Sequence, residues 1–528
     1  MLVHRDAKIK RRSVFNRDMP ELRHSIAHHY HERTKYDPDT IASKNQGLDW
    51  SKQPVPFKEY KIGTVFDLKP YIQESSLDSE DNTDTQWWRR LSRLLFCSYG
   101  LTARMPSMGS AVFLRSAPSA GGLYPAEIYI VSRGTPLLPA GLYNYQSRTH
   151  SLLQFWENNV WETLQDACFW HPALESTQLA IVITAVFYRS AWRYEDRAYR
   201  RIFLDTGHLL GNIELSAATC DFRPHLIGGF VDKAVNDMLY IDPEQEGATA
   251  VLPIADLLDI KQNLPTGRTA LPSATETEYP KIPDGELLKY IHTVTQILPG
   301  TTGKLNLPEI KQNKSIEDKY KFPFCQKIST LTTQIDWGDK LDKLSSTILK
   351  RRSTRAYSGD DLTLDELKSL LDFTYQPQHY IDQELDISPD YFDLNLIQTF
   401  IATSGVEGLE AGCYYYAPAS QELRQIRFKN FRRELHFLCL GQDLGRDASA
   451  VIFHTADLKA SVSQYGDRVY RYLHMDAGHL GQKLNLAAVR LNIGVSGIGG
   501  FFDDKVNEVL GIPLSEAVLY ITTIGRPM

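Results

Sequence analysis

Apolar residues recur along the chain in two patterns. Short runs rich in β-branched and aromatic residues, EIYIVS (127–132) and QTFIATS (398–404), predict strands. LAIVITAVF (179–187) is apolar throughout and predicts a central strand buried on both faces. RRIFLDTGHLLGNIELSAA (200–218) carries apolar residues at helical spacing and no proline, which predicts a long helix. LTLDELKSLLDFTY (362–375) begins with Thr363 and has Glu366 three residues on, a capping box that opens another helix.

These patterns occur twice. RYEDRAYRRIFLDTGHLLGN (193–212) and QYGDRVYRYLHMDAGHLGQK (464–483) agree at nine of twenty positions, where chance gives on the order of one. Tyr194 matches Tyr465, Asp205 matches Asp476 and His208 matches His479, an offset of 271 residues. The same offset takes Gly228-Gly229-Phe230 to Gly499-Gly500-Phe501, Asn236 to Asn507, Gly141 to Gly412 and Pro118 to Pro389. Two large copies make a duplicated domain rather than a solenoid. The chain divides into an extension over 1–60, a first repeat over 61–260, a connector over 261–330 and a second repeat over 331–528. Pro265, Pro272, Pro280, Pro283 and Pro299 interrupt the connector. The expected fold is α+β, with a mixed or antiparallel sheet and flanking helices in each repeat.

Composition changes this picture little. The 528 residues are 42% hydrophobic and 23% charged, with a net charge of −6. Without a basic surplus, a nucleic-acid partner is not expected. No apolar run is long enough for a membrane helix, and the polar N-terminus does not read as a signal peptide. Six scattered cysteines with no CxxC pair suggest neither zinc nor disulfides and fit a cytoplasmic setting. HSIAHHYHER (24–33) is rich in histidine, but without a second ligand cluster no metal site is expected.

Four stretches could carry chemistry. LKRRSTRAYSG (349–359) sets Arg351, Arg352 and Arg355 around Ser353, a phosphate-binding composition that is also that of a solvated basic run. In RSAPSAGGLYPAEIYIV (115–131), Pro118, Ser119, Ala120, Gly121 and Gly122 precede a strand. They would let a flat ligand approach the backbone, or simply turn the chain. GVSGIGGF (494–501) brings Ile498, Gly499 and Gly500 after the second long helix, where a helix cap and turn would also suit. Arg193-Tyr194 faces Gln464-Tyr465 in the other copy.

In this order, the motifs resemble the FMN-dependent nitroreductase superfamily, most closely its SagB-type dehydrogenase or azoline-oxidase branch. The resemblance covers most of 25–260 and 340–528 and includes YHERTKYDP (30–38). It implies two nitroreductase-like domains packed as an intrachain pseudo-dimer, with FMN at their interface. One half would give the arginine cluster and Gly-Gly loop, the other the Pro-Ser segment and the side chains over the ring. By likeness, Arg351, Arg352 and Ser353 go to the FMN phosphate, with Arg526 as a further candidate. Arg355 goes to the pyrimidine edge of the flavin, and Ser119–Gly122 and Ile498–Gly500 to its two faces.

The repeats differ in complementary ways. The second keeps the arginines, where the first has the acidic ESSLDSEDNTD (74–84). The first keeps Pro118-Ser119-Ala120-Gly121-Gly122, where the second has Pro389-Asp390-Tyr391-Phe392-Asp393. This predicts one working site and about one FMN per chain. Azoline oxidases use a Lys-Tyr pair near the flavin; here Arg193 replaces the lysine and is too basic to take a proton, which leaves Tyr194 as acid or base. Asp205 and His208 read as structural, because both copies carry them. The resemblance implies hydride transfer at flavin N5 on a small or peptide-derived substrate, alongside other enzymes of a peptide-modifying pathway. An NAD(P)H-dependent nitro or quinone reductase and a non-catalytic flavin-binding scaffold are the alternatives.

Overall fold

The computed structural model of the protein describes residues 23–41, 47–72, 82–106, 112–258, 269–300, 316–386 and 388–528. Two seven-stranded sheets carry it. The first orders its strands as Thr64–Asp67, Ser151–Trp156, Gly141–Gln146, Ala126–Ser132, Leu179–Val186, Glu246–Asp256 and Phe222–Pro224. The second orders Lys327–Ser329, Glu422–Arg427, Gly412–Ala417, Gln398–Thr403, Ala450–Asp457, Glu516–Gly525 and Gly494–Ile498. The two orders are the same, and all pairings within them are antiparallel. Even the bulges are shared: the ladder slips at Ile183/Thr184 and at His454/Thr455, its counterpart 271 residues on. Each sheet is α+β in its setting, with helices on both faces, which is why Leu179–Val186 is apolar without alternation. The capping box of Thr363 and Glu366 forms as the sequence predicts.

The predicted long helix runs Ala198–Ala218, and its copy runs Val469–Arg490. Both are buried nearly all round, because each lies between its own sheet and the other helix. They cross where Gly207 meets Gly478, two positions related by the repeat. A Cβ on Gly207 would collide with Met475 O, and one on Gly478 with Leu204 O. The crossing therefore brings backbone against backbone. One apolar core cluster extends across both repeats through this contact.

Two buried charge clusters flank the crossing, each built across the repeats. Asp503 of the second repeat accepts from Arg197 at 2.9 Å and Arg200 at 2.7 Å. Asp232 of the first accepts from Arg468 at 2.6 Å and Arg471 at 2.7 Å. Burial opposes the charge on both aspartates, but the paired arginines outweigh it and hold their pKa values below the ordinary range. The repeated D-R-x-Y-R motif thus serves to grip the other repeat.

The segments read as extension and connector turn out to play matched parts. Helix Ile26–Arg33 ends beside Thr34, whose Oγ1 accepts from Arg200 Nε at 3.0 Å, while His31 O accepts from Arg200 Nη2 at 2.6 Å. Helix Leu287–Val294 ends beside Thr295, whose Oγ1 accepts from Arg471 Nε at 2.9 Å, while His292 O accepts from Arg471 Nη2 at 2.8 Å. Tyr36 N then donates to Asp503 and Ile297 N to Asp232. Each repeat is preceded by a helix that completes the cluster. The histidine-rich stretch is part of this element, with His31 buried against Tyr470, and no group of metal-ligating side chains occurs among the described residues.

Asp232→Asn and Asp503→Asn should each cost about 3–5 kcal/mol by leaving two buried guanidinium groups without their carboxylate, read as a shift in urea midpoint. Gly207→Ala would add about 1 kcal/mol of helix propensity on an open helix. Here it should lose about 1–3 kcal/mol to overpacking, and a rise in melting temperature would refute the close crossing.

Candidate active site

A cleft of about 1220 Å³ opens between the repeats. One wall comes from the turn before strand Ala126–Ser132. Gly121 and Gly122 both sit at φ 66°, the left-handed region that favours glycine. A Cβ on Gly121 would stand 2.8 Å from the Tyr194 hydroxyl. Asp205, in the middle of the first long helix, fixes this turn: Ser119 Oγ donates to it at 2.6 Å and Ala120 N at 3.1 Å. Burial pushes the Asp205 carboxyl up to about 7, against the pull of those hydrogen bonds. Asp476 does the same work in the other copy, accepting from Phe392 N at 3.1 Å and Asp393 N at 3.0 Å. A backbone-holding role in both copies agrees with the structural reading of this residue.

The opposite wall belongs to the second repeat. Thr354 N donates to Val495 O at 2.8 Å, and Val495 N donates to Thr354 Oγ1 at 3.0 Å. The arginine-rich segment is thereby stitched to strand Gly494–Ile498, and Ser353, Arg355, Ile498, Gly499 and Gly500 line the cleft. Arg355 is exposed and has no hydrogen-bond or ion-pair partner among the described residues. His208 forms part of the floor, its ring bonded to Gln482 at 2.9 Å and to Tyr520 at 2.8 Å. Burial pushes its pKa down to about 4, so it is neutral at pH 7.

The sequence-derived candidates divide. Pro118, Ser119, Ala120, Gly121, Arg193 and Tyr194 line the cleft from the first repeat. Gly122 adjoins it without lining it. Arg351, Arg352 and Arg526 are held elsewhere. Arg351 is buried and donates to Ser116 O at 2.7 Å and Arg115 O at 3.2 Å, and burial lowers its pKa to about 10. Arg352 donates to Thr102 O at 3.0 Å and Leu349 O at 3.1 Å. Arg526 forms a two-pronged pair with Glu366, at 2.8 and 2.7 Å. Backbone carbonyls and a carboxylate therefore take most of the donors that the resemblance assigns to a phosphate, while Nη1 of Arg351 stays without a hydrogen bond among the described residues.

Arg201 is among the cleft residues that the sequence reading missed. Its guanidinium lies over the Tyr194 ring, 3.8 Å from the centroid. The repeat alignment contains its signal, since the copy has Tyr472 at that position.

The space related by the repeat is filled. Tyr391, in the place of Ala120, stacks on His479 with ring centroids 4.6 Å apart. Phe392, in the place of Gly121, stacks on Tyr472 at 4.6 Å and occupies the volume a Cβ on Gly228 would need. Tyr465 donates to Asp393 at 3.1 Å, whereas Tyr194 has no such partner among the described residues. Most of the acidic stretch 74–84 lies outside the described residues.

The model of the nitroreductase family matches residues 101–255 and 348–526. A crystal structure from Anabaena variabilis, of a protein assigned as a nitroreductase, is 74% identical. It covers 96% of this chain and 100% of its own, with a TM-score of 0.90. A protein of Methanocaldococcus jannaschii, also assigned as a nitroreductase, is 30% identical over 184 residues, 35% of this chain and 91% of its own. The trifolitoxin-processing protein TfxF of Rhizobium leguminosarum bv. trifolii is 28% identical over 132 residues, 25% of this chain and 43% of its own.

Asp205 binds its proton more tightly folded than unfolded, so its contribution to stability is full below pH 3.8 and is lost as the pH rises through about 7. An asparagine at this position does not titrate. The destabilisation caused by Asp205→Asn, measured by urea unfolding, should therefore shrink between pH 4 and pH 7. A penalty that grows over that interval would show the carboxyl to be ionised throughout.

Proposed function

The chain belongs to the nitroreductase family, and on that premise we propose that it is an FMN-dependent oxidoreductase of the SagB type, with one flavin held between its unequal repeats. The observation that carries this reading is the contrast between two spaces related by the duplication. One is an open cleft with a glycine turn on one wall and an unpartnered arginine on the other. The other is filled by Tyr391 and Phe392.

The residues around the cleft suit a flat, anionic cofactor. Ser119, Ala120 and Gly121 offer a wall without bulky side chains, and Gly499 and Gly500 offer a second. Arg355 would set a fixed positive charge against the pyrimidine edge, and Ser353 adds a hydroxyl donor. When bound there, FMN supplies hydride transfer at its N5 atom. Tyr194, half-buried beside the glycine turn, is the side chain placed to hold or move a proton over the ring. Arg193 beside it offers hydrogen-bond donors and orients rather than acts as a base. The trifolitoxin-processing relative supports a peptide-derived substrate, and with it companion enzymes of a peptide-modifying pathway.

Flavin released from the purified protein should amount to about one FMN per chain, by absorbance against protein concentration. Two per chain would refute the single-site reading. Arg355 is exposed and bonded to nothing around it. Arg355→Glu should thus leave the melting temperature of the flavin-stripped protein unchanged, yet weaken FMN rebinding by about 10-fold or more.

A further inference from the structure

Four arginines buried at the repeat interface come with their counter-charges, and a fifth, Arg351, is bonded to the carbonyls of Ser116 and Arg115. Arg197 and Arg200 share Asp503, and Arg468 and Arg471 share Asp232. Arg201 differs in having neither a carboxylate nor a carbonyl bonded to it among the described residues. It is 7% exposed, its Nε is buried with no hydrogen-bond partner, and it has no ion pair among the described residues. The nearest carboxylate in sequence, Asp205, feels the Arg201 charge but is hydrogen-bonded by Ser119 and Ala120 instead. A guanidinium withdrawn from water without a partner is costly.

The duplication shows that the position does not require a charge. Tyr472 stands there in the other copy, its hydroxyl bonded to Gly228 O at 3.0 Å and Leu271 O at 2.9 Å and its ring stacked on Phe392. The satisfied neutral side chain belongs to the filled space, and the unsatisfied cation to the open cleft.

Its surroundings also define what Arg201 could bind. One face of the guanidinium lies on the Tyr194 ring. Its edge points toward Gly499, where a Cβ would collide with Nη1. Between an aromatic face and a bare glycine backbone, a flat guanidinium offers its fork to a flat oxyanion. We propose that Arg201 is the substrate-recognition residue of the cleft and binds a carboxylate of the substrate next to Tyr194. The inference rests on the flavin reading for the identity of the reaction, but the carboxylate site can be tested without turnover. It makes the substrate an anion, such as a peptide or small molecule with a free carboxyl group near the bond to be oxidised or reduced.

The test is calorimetric titration of the protein as purified with benzoate and, in parallel, with its neutral analogue benzamide. The wild type should prefer benzoate. Arg201→Gln should weaken benzoate by about 10-fold or more, with benzamide unaffected, because a charge-assisted hydrogen bond is lost. Arg201→Tyr, which installs the side chain of the other copy, should behave alike and guards against a folding defect in the first variant. Flavin content is measured on each protein separately. Absent or unselective benzoate binding by the wild type, or equal benzoate affinity in wild type and variants, would overturn the proposal. So would loss of FMN with benzoate affinity retained, which would assign Arg201 to the cofactor phosphate. A wild type that binds benzoate selectively but carries no flavin would instead overturn the flavin reading and leave the carboxylate site standing.

Discussion

Where Gly207 and Gly478 touch, two helices meet backbone to backbone, at a distance no other residue pair would allow. The two glycines are repeat-related, so the contact lies on the axis that relates the two halves. Everything that makes the cleft is measured from it. Asp205 and His208 sit within one turn of Gly207 and fix the glycine turn and the floor. Asp476 and His479 sit within one turn of Gly478 and anchor the aromatic pair that fills the other space. The buried Asp503 and Asp232 clusters then resist rotation about the crossing, since each ties an arginine pair of one half to a carboxylate of the other. Buried ion pairs add little net stability over apolar packing, but they penalise mispairing heavily. A rigid, uniquely registered interface is what a cleft shared by both halves requires.

Fusion explains how the two spaces could diverge. In a symmetric pair of identical subunits every substitution appears in both sites. With both halves in one chain, Ala120 and Gly121 can line a cleft while Tyr391 and Phe392 seal its counterpart. Sealing is not a simple loss. The filled space gains stacked rings and a buried Glu214, where the nearby Lys483 and the bond to His479 outweigh burial and hold the carboxyl below the ordinary range. The filled copy contributes core, and the open copy keeps a cleft lined by Arg201 and Arg355.

The duplication, the strands and the long helices were legible because periodicity and repetition are local properties of sequence. So was the glycine turn at 119–122, since small residues before a strand leave few conformational options. The matched helices Ile26–Arg33 and Leu287–Val294 were not. They share little beyond His31 with His292 and Thr34 with Thr295, and their common role depends on backbone carbonyls and hydroxyls that meet the arginines in space. Composition grouped Arg351, Arg352 and Arg355 by charge, and the resemblance added Arg526. The fold separates them by what surrounds each one: carbonyls at Arg351 and Arg352, Glu366 at Arg526, and open cleft at Arg355.

That separation bears on how buried charge should be read in this protein. Nearly enclosed arginines such as Arg197, Arg200, Arg468 and Arg471 have counter-charges inside the fold and hold it together. Arg201 is as enclosed as a structural arginine, yet has the empty coordination of a binding residue. The Tyr194 ring offsets part of its desolvation, by about 0.5–2 kcal/mol for a cation on an aromatic face, which is less than an unpaired buried charge costs. The remainder is stability given up locally beside an interface whose other buried arginines are bonded to carboxylates or carbonyls. Such a deficit is sustained where a ligand's charge removes it on binding, and Tyr472 demonstrates that the same backbone position can be built without it.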